Sequence, residues 1–120
     1  MWKEVFRRAL ITCRLVDKPE FEIRHVDVQP ALTDMDPASL YVVGPKQNPK
    51  WAVLSCPGAC GHVMRLPMMR QHTPRWTITY DWIGRASLSP SIHQRNACKA
   101  HYWFKKGDVV WCRDSKCGGR

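Results

Sequence analysis

This 120-residue sequence is short of acidic side chains and of long apolar runs. It has 10 Asp and Glu against 19 Lys and Arg, a net charge of +9 that favours acidic partners such as nucleic acid, an anionic membrane or an acidic protein. No run approaches the roughly 18 apolar residues of a membrane span. Charges at Lys3, Glu4, Arg7 and Arg8 interrupt the only candidate signal-peptide core. We therefore expect a soluble, cytoplasmic protein whose cysteines stay reduced.

The sequence also lacks internal repeats and low-complexity segments, and its length suits one domain. Nine prolines disfavour long helices. The pattern predicts a mostly β fold, a single small domain of antiparallel hairpins with a zinc-ribbon-like metal site. We assign residues 1–39 to a strand-and-loop extension packed on the core, 40–113 to the zinc-binding β domain and 114–120 to a flexible tail.

Two-residue alternation marks the clearest strands. In "RWTITYDW" the large side chains alternate with polar ones, and "ASLSPSI" returns after Gly84 to make a hairpin. In "HYWFKKGDVVWC" two apolar runs flank Gly107, which suits the positive φ angle of a tight turn. "FEIRHVDV" is a weaker strand, and the first fifteen residues fit a helix or a strand equally well.

A cysteine cluster stands out at "SCPGACGHV". Cys56 and Cys60 flank a Pro-Gly bend that lets both sulfurs face one ion, and Cys98 with His101 supplies a matching half-site. Three thiolates and one imidazole form a common structural zinc set. His62 is the rival to His101 as fourth ligand; with an open position the zinc could instead be catalytic. The alternative is that the cysteines are buried apolar residues without metal.

The remaining cysteines carry weaker signals. Cys13 fits a core residue, whereas Cys112 and Cys117 could form a second pair but have no matching partners nearby in the sequence.

The segment "SLSPSI" raises the question of a nucleophile. Ser89 and Ser91 flank Pro90, and His93 follows Ser91 on the same side of an extended strand. No Gly-x-Ser-x-Gly elbow surrounds either serine. The competing interpretation is that the hydroxyls satisfy main-chain groups at a proline turn.

Aromatic and basic residues are interleaved in the second half of the chain, as in proteins that stack bases and follow phosphates. No nucleic-acid-binding signature accompanies them, and such a stripe is more often half core. A basic nucleic-acid-binding module is therefore the last alternative. The residues concerned are Trp76, Trp82, Tyr102, Trp103, Phe104, Trp111, Arg65, Arg75, Lys105 and Lys106.

Three blocks, "LYVV...WAVLSCPGACGHVMRLPM", "RWTITYD...SLSPSI" and "CKAHYWFKKGDVVWC", resemble a small bacterial zinc-binding family of unknown function. Its members are encoded in operons with multi-ubiquitin, E1-like and E2-like proteins. The resemblance covers about Leu40 to Cys112. The family pattern has a third knuckle cysteine where this chain has Gly58, and Glu where it has His62.

The resemblance implies a ubiquitin-like partner, contacts with E1-like or E2-like proteins, and a role in bacterial protein conjugation and antiphage defence. The protein would be a zinc-dependent peptidase that processes or removes the modifier, or a ligase-like adaptor with a purely structural zinc. As a peptidase it would use zinc to hold water or polarise a carbonyl, with His62, Ser89 or Ser91 as candidates for proton transfer.

Overall fold

The computed structural model describes residues 2–12, 20–58, 60–94 and 98–116. These residues form two short helices and eight strands, so the mostly β prediction is confirmed. Cys13 and Cys117 lie outside the described residues. The elements are α1 (Trp2–Thr12), β1 (Glu22–Val26), the 3-10 helix η1 (Leu32–Asp34), β2 (Ser39–Val43), β3 (Trp51–Ser55), β4 (Val63–Pro67), β5 (Thr77–Tyr80), β6 (Ala86–His93), β7 (His101–Lys105) and β8 (Asp108–Trp111).

None of the helices in the described ranges has the length and apolar character needed to span a membrane.

The first sheet has the strand order β1-β2-β3-β4. Strands β2, β3 and β4 pair antiparallel as predicted, but β1 pairs parallel to β2, with Glu22 opposite Ser39 and Val26 opposite Val43. The parallel pairing of β1 is thus an exception within a domain that otherwise consists of antiparallel strands. Parallel neighbours need a crossover connection rather than a turn, and here the segment containing η1 makes it.

The second sheet is antiparallel, in the order β5-β6-β7-β8, and both predicted hairpins are confirmed. The β7–β8 turn uses Lys106 and Gly107, with φ angles of 52° and 83°. Positive φ at both central residues defines the tight turn whose twist matches the strands.

The two sheets pack face to face around one core. Their inward side chains belong to one buried cluster that includes Leu40, Leu54 and Leu66 from the first sheet and Leu88 and Phe104 from the second. Tyr41, Val43 and Val53 form a second buried cluster on the other face of the first sheet. Burial on both faces explains why β2 reads as a continuous apolar run rather than an alternating one.

Strand β5 lies at an edge, so its aromatic stripe is only partly buried. Ile78 packs against the core, whereas Tyr80 and Trp82 are 42% and 61% exposed. The ring of Phe6 from α1 lies 5.4 Å from that of Trp82.

Candidate active site and metal centre

Three of the four predicted metal ligands come together at one end of the sandwich. The sulfurs of Cys56, Cys60 and Cys98 all lie within 4.8 Å of one another, and those of Cys56 and Cys98 are 3.4 Å apart. Sulfurs sharing one tetrahedral zinc are about 3.8 Å apart, given Zn–S distances of about 2.3 Å. The donor set and spacing fit a zinc ion that takes its fourth ligand from elsewhere.

The local sequence explains this convergence. Cys56 follows β3 directly and His62 precedes β4, so the cysteine segment is the turn of a hairpin. The N–H of Cys56 donates to the carbonyl of His62 at 2.8 Å, and the N–H of Gly58 approaches the Cys56 sulfur at 3.3 Å. These bonds close the turn and fix the position of the Cys56 sulfur.

The thiols have unequal acidities. The main-chain N–H of His62 bonds to the Cys60 sulfur and lowers the pKa of that thiol to about 6, whereas burial raises the pKa of Cys56 to about 11. Cys60 is therefore the first thiolate available to a cation, because thiolate is the form that binds metal.

Buried polar groups adjoin the thiols. Gln94 is 1% exposed, and its side-chain amide nitrogen lies 3.8 Å from the Cys98 sulfur and 4.0 Å from that of Cys60. Burial, and then the charge of the three cysteines, raises the pKa of Tyr102. Among the described residues, the Gln94 amide oxygen and the Tyr102 hydroxyl are buried without a hydrogen-bond partner.

The fourth predicted ligand, His101, lies in a different group. Its ring nitrogens approach Ser91 and Asp114, and the metal-binding group of Cys56, Cys60 and Cys98 contains no histidine among the described residues. His101 as a zinc ligand thus remains a prediction, and the geometry does not favour it. The rival ligand His62 contributes its main chain to the turn.

Ser91 lies at an irregularity in β6. Leu88 pairs with Phe104 and Ile92 with Tyr102, so β6 uses more residues than β7 between these two pairs. Such a bulge re-aims side chains and is common next to active sites. Leu88 and Ile92 face the core, while Ser91 and His93 lie on the outer face of the sheet. The Trp76 indole donates to the Pro90 carbonyl at 3.0 Å and fixes the bulge.

Ser91, His101 and Asp114 form a chain of hydrogen bonds. The Ser91 hydroxyl lies 3.2 Å from Nε2 of His101, and Nδ1 of His101 lies 2.6 Å from a carboxylate oxygen of Asp114. The bond from His101 lowers the pKa of Asp114, so that the carboxylate is an acceptor at neutral pH. In a neutral imidazole, Nδ1 then carries the proton and Nε2 is the atom that can accept one from Ser91.

Neighbouring residues frame this chain. His93, opposite His101 in the ladder, stacks on its ring with centroids 4.4 Å apart. Cys112 lies within 4.8 Å of the His101 and Asp114 ligand atoms, and burial, followed by the charge of Asp114, raises the pKa of its thiol. Cys112 therefore stays protonated at neutral pH and is a poor nucleophile.

The structure thus places the three catalytic candidates from the sequence in different surroundings. Ser91 meets a histidine, Ser89 is exposed with its side chain outside this chain of bonds, and His62 lies with the cysteines. Asp114 was missed because it belongs to the segment predicted to be a flexible tail. The turn in which the Ser115 N–H donates to the Cys112 carbonyl brings it back to β7.

A two-sheet protein with a serine, a histidine and a carboxylate bonded in this order has the arrangement found in serine hydrolases, which recurs on unrelated folds. The chain belongs to the BubE family, described as the bacterial ubiquitination-like system serine protease, whose model matches residues 25–112. The match includes Ser91, His101 and the three clustered cysteines, and it ends before Asp114. No curated protein and no solved structure matches the chain.

The family assignment places the protein in a bacterial ubiquitination-like system, as the sequence resemblance implied. The matching family carries a different name from the zinc-binding family of unknown function that the sequence resembled.

Proposed function

We propose that this protein is a serine protease that cleaves a ubiquitin-like protein, or its conjugates, in a bacterial ubiquitination-like system. The observation that carries the proposal is the hydrogen-bonded chain from Ser91 through His101 to Asp114. The family description supports both the chemistry and the pathway.

In the proposed mechanism Ser91 is the nucleophile and His101 the general base. As the Ser91 oxygen attacks the scissile carbonyl, its proton passes to Nε2 of His101, and the resulting imidazolium returns a proton to the leaving amine as the peptide C–N bond breaks. Water, deprotonated by the same histidine, then hydrolyses the acyl-serine and regenerates the Ser91 hydroxyl. Asp114 accepts the hydrogen bond from Nδ1, which fixes the tautomer and stabilises the imidazolium. The 3.2 Å separation of Ser91 and His101 suits a free enzyme, in which catalytic hydrogen bonds are often long.

We further propose that Cys56, Cys60 and Cys98 hold a structural zinc ion. Thiolates are soft ligands that select zinc over hard cations. When bound, the ion would crosslink the β3–β4 turn to the segment that enters β7. Because the binding energy of such an ion is folding energy, its role here is to hold the strands that carry Ser91 and His101, and the proposed hydrolysis uses the chain's own residues and water.

A ubiquitin-like protein is the proposed partner because the family acts in a ubiquitination-like system. The E1-like and E2-like proteins of such a system are proposed as further partners, and antiphage defence as the biological setting. The ligase-like adaptor is the alternative function, and it predicts binding of the modifier without cleavage.

The deciding experiment compares wild type with Ser91→Ala and Ser89→Ala on a ubiquitin-like precursor and on fluorogenic peptides from its tail. We expect Ser91→Ala to lower kcat by about a thousandfold or more, as for other nucleophile deletions, and Ser89→Ala to change it by less than about threefold. A wild-type protein that binds the precursor but never cleaves it would favour the adaptor. Equal loss in both variants would reject Ser91 as the nucleophile.

A further inference from the structure

The edge of β6 beyond Ser89 has main-chain groups that point away from β7. The hydrogen bonds alternate along the strand. The Arg85 carbonyl accepts from Asp81 on the β5 side at 2.9 Å, whereas the Ala86 carbonyl accepts from Gly107 on the β7 side at 2.8 Å. Past the bulge, the Gln94 N–H donates to Ala100, again on the β7 side. His93 must therefore direct its N–H and carbonyl towards the β5 side.

His101, which pairs with His93 between β6 and β7, does not bond to the main-chain N–H or carbonyl of His93. The carbonyl of His101 accepts from the Cys112 N–H at 3.0 Å, and its N–H donates to the Ser115 hydroxyl at 3.0 Å. Both main-chain groups of His101 are thus turned towards β8 and the following turn. Among the described residues, no turn or loop main-chain group bonds to the main chain of His93, and no strand pairs with it on the β5 side.

Strand β5 stops short of this part of β6. Its first residue, Thr77, pairs with Ser89, and the preceding Trp76 donates its main-chain N–H to Pro67 at the end of β4. The chain therefore leaves the edge of the second sheet just before Ser91. His93 is exposed, and β5 does not extend beside it.

We infer that this edge receives the substrate as an added antiparallel strand, continuing the line of β5 and exchanging main-chain hydrogen bonds with His93. The inference rests on the proposed function. The substrate is the molecule expected at this edge because Ser91 lies in the same strand, so a peptide bond that Ser91 attacks lies beside β6. Edge strands with free N–H and carbonyl groups bind extended peptides in this way, through main-chain bonds.

The direction of the added strand determines which substrate residues bind the edge of β6. A strand antiparallel to β6 passes His93 before it reaches Ser91, so the residues that bind the edge precede the cleaved bond. With the first residue before that bond beside Ser91, the third lies opposite His93, because side chains and main-chain groups repeat every two residues in a strand. The substrate class is then an extended, flexible tail rather than a folded surface loop.

The test is an N-methyl scan of a fluorogenic peptide taken from the tail of the ubiquitin-like protein. Methylation of the third residue before the cleaved bond removes the N–H that would donate to His93, and we expect kcat/KM to fall by roughly tenfold or more. Methylation of the second residue, whose N–H points away from the edge, is the matched control and should cost less than about threefold. Equal losses at both positions, or no loss at the third, would overturn the inference.

A pair of protein variants provides a second measurement. His93→Ala and His93→Pro both remove the ring that stacks on His101, but only the proline removes the main-chain donor, and proline is tolerated at a strand edge. We expect His93→Pro to have roughly tenfold lower kcat/KM than His93→Ala at an unchanged Tm. Equal values would count against the inference. If wild type leaves the unmethylated peptide intact, the proposed function fails together with it, whereas cleavage without position dependence rejects the added strand alone.

Discussion

Cys98 and His101 are close neighbours in the sequence, yet their side chains serve different clusters. The Cys98 sulfur lies 3.4 Å from that of Cys56, whereas Nε2 of His101 lies 3.2 Å from the Ser91 hydroxyl. The segment between them links the inner end of the sandwich to the outer face of the second sheet. The candidate metal centre and the proposed catalytic residues are therefore separate groups of side chains.

This separation predicts opposite phenotypes for His101→Ala and Cys98→Ser. We expect His101→Ala to keep its zinc and Tm and to lose hydrolysis by about a thousandfold. Cys98→Ser should lose zinc and melt at a lower temperature, because binding energy at a structural zinc is folding energy. Metal content by plasma mass spectrometry, with melting curves and peptide assays on the same preparations, decides the matter. Zinc lost from His101→Ala would restore the four-ligand set with His101.

His101 as a zinc ligand stays a prediction, but the sequence held two opposing signals for this residue. The Cys-x2-His spacing is typical of a zinc half-site, and that local signal does not depend on the fold. The two-residue alternation of "HYWFK" predicts that His101 lies on the opposite face from Tyr102. In the structure Tyr102 and Phe104 are fully buried, so His101 faces outwards. The strand period therefore predicts an outward His101, whereas the motif spacing predicts a zinc ligand.

The hairpins were predictable because their information is local. Gly107 in the β7–β8 turn and the alternation of β5 depend on neighbouring residues only. The parallel pairing of β1 with β2 and the return of Asp114 to His101 involve contacts between distant parts of the sequence. Neither the amino-acid composition nor the hydrophobic periodicity of a single sequence indicates such contacts.

We expect Asp114 to contribute to catalysis by orienting the His101 ring rather than by packing. Asp114→Asn keeps the size of the side chain but allows the amide to donate to His101, which favours the wrong tautomer. We expect kcat to fall by about a hundredfold to ten-thousandfold with little change in Tm, since the side chain is 65% exposed. Asp34→Asn, at an exposed aspartate of η1, is the control and should leave kcat unchanged. An Asp114→Asn enzyme with wild-type kcat would remove the carboxylate from the mechanism.

Asp81 should stabilise the β5–β6 hairpin in a pH-dependent way. Its carboxylate accepts hydrogen bonds from the N–H groups of Ile83 and Arg85 and from the Arg85 guanidinium at 2.6 Å. Burial opposes ionisation, but these bonds outweigh it and lower the pKa of Asp81 below its usual 3.8. A lowered folded-state pKa gives stability that is present above the unfolded-state value and is lost as the pH falls through the folded-state value.

Asp81→Asn should therefore cost about 1–2 kcal/mol of unfolding free energy at neutral pH, and this difference from wild type should shrink on acidification below pH 3.8. Urea unfolding at each pH measures it. Acid also protonates the cysteines and other carboxylates, but it does so in both proteins, so the difference isolates Asp81. Asp27→Asn, at an exposed position after β1, should show no such difference. A cost that stays constant or grows as the pH falls would mean that the hairpin is held by packing rather than by the carboxylate.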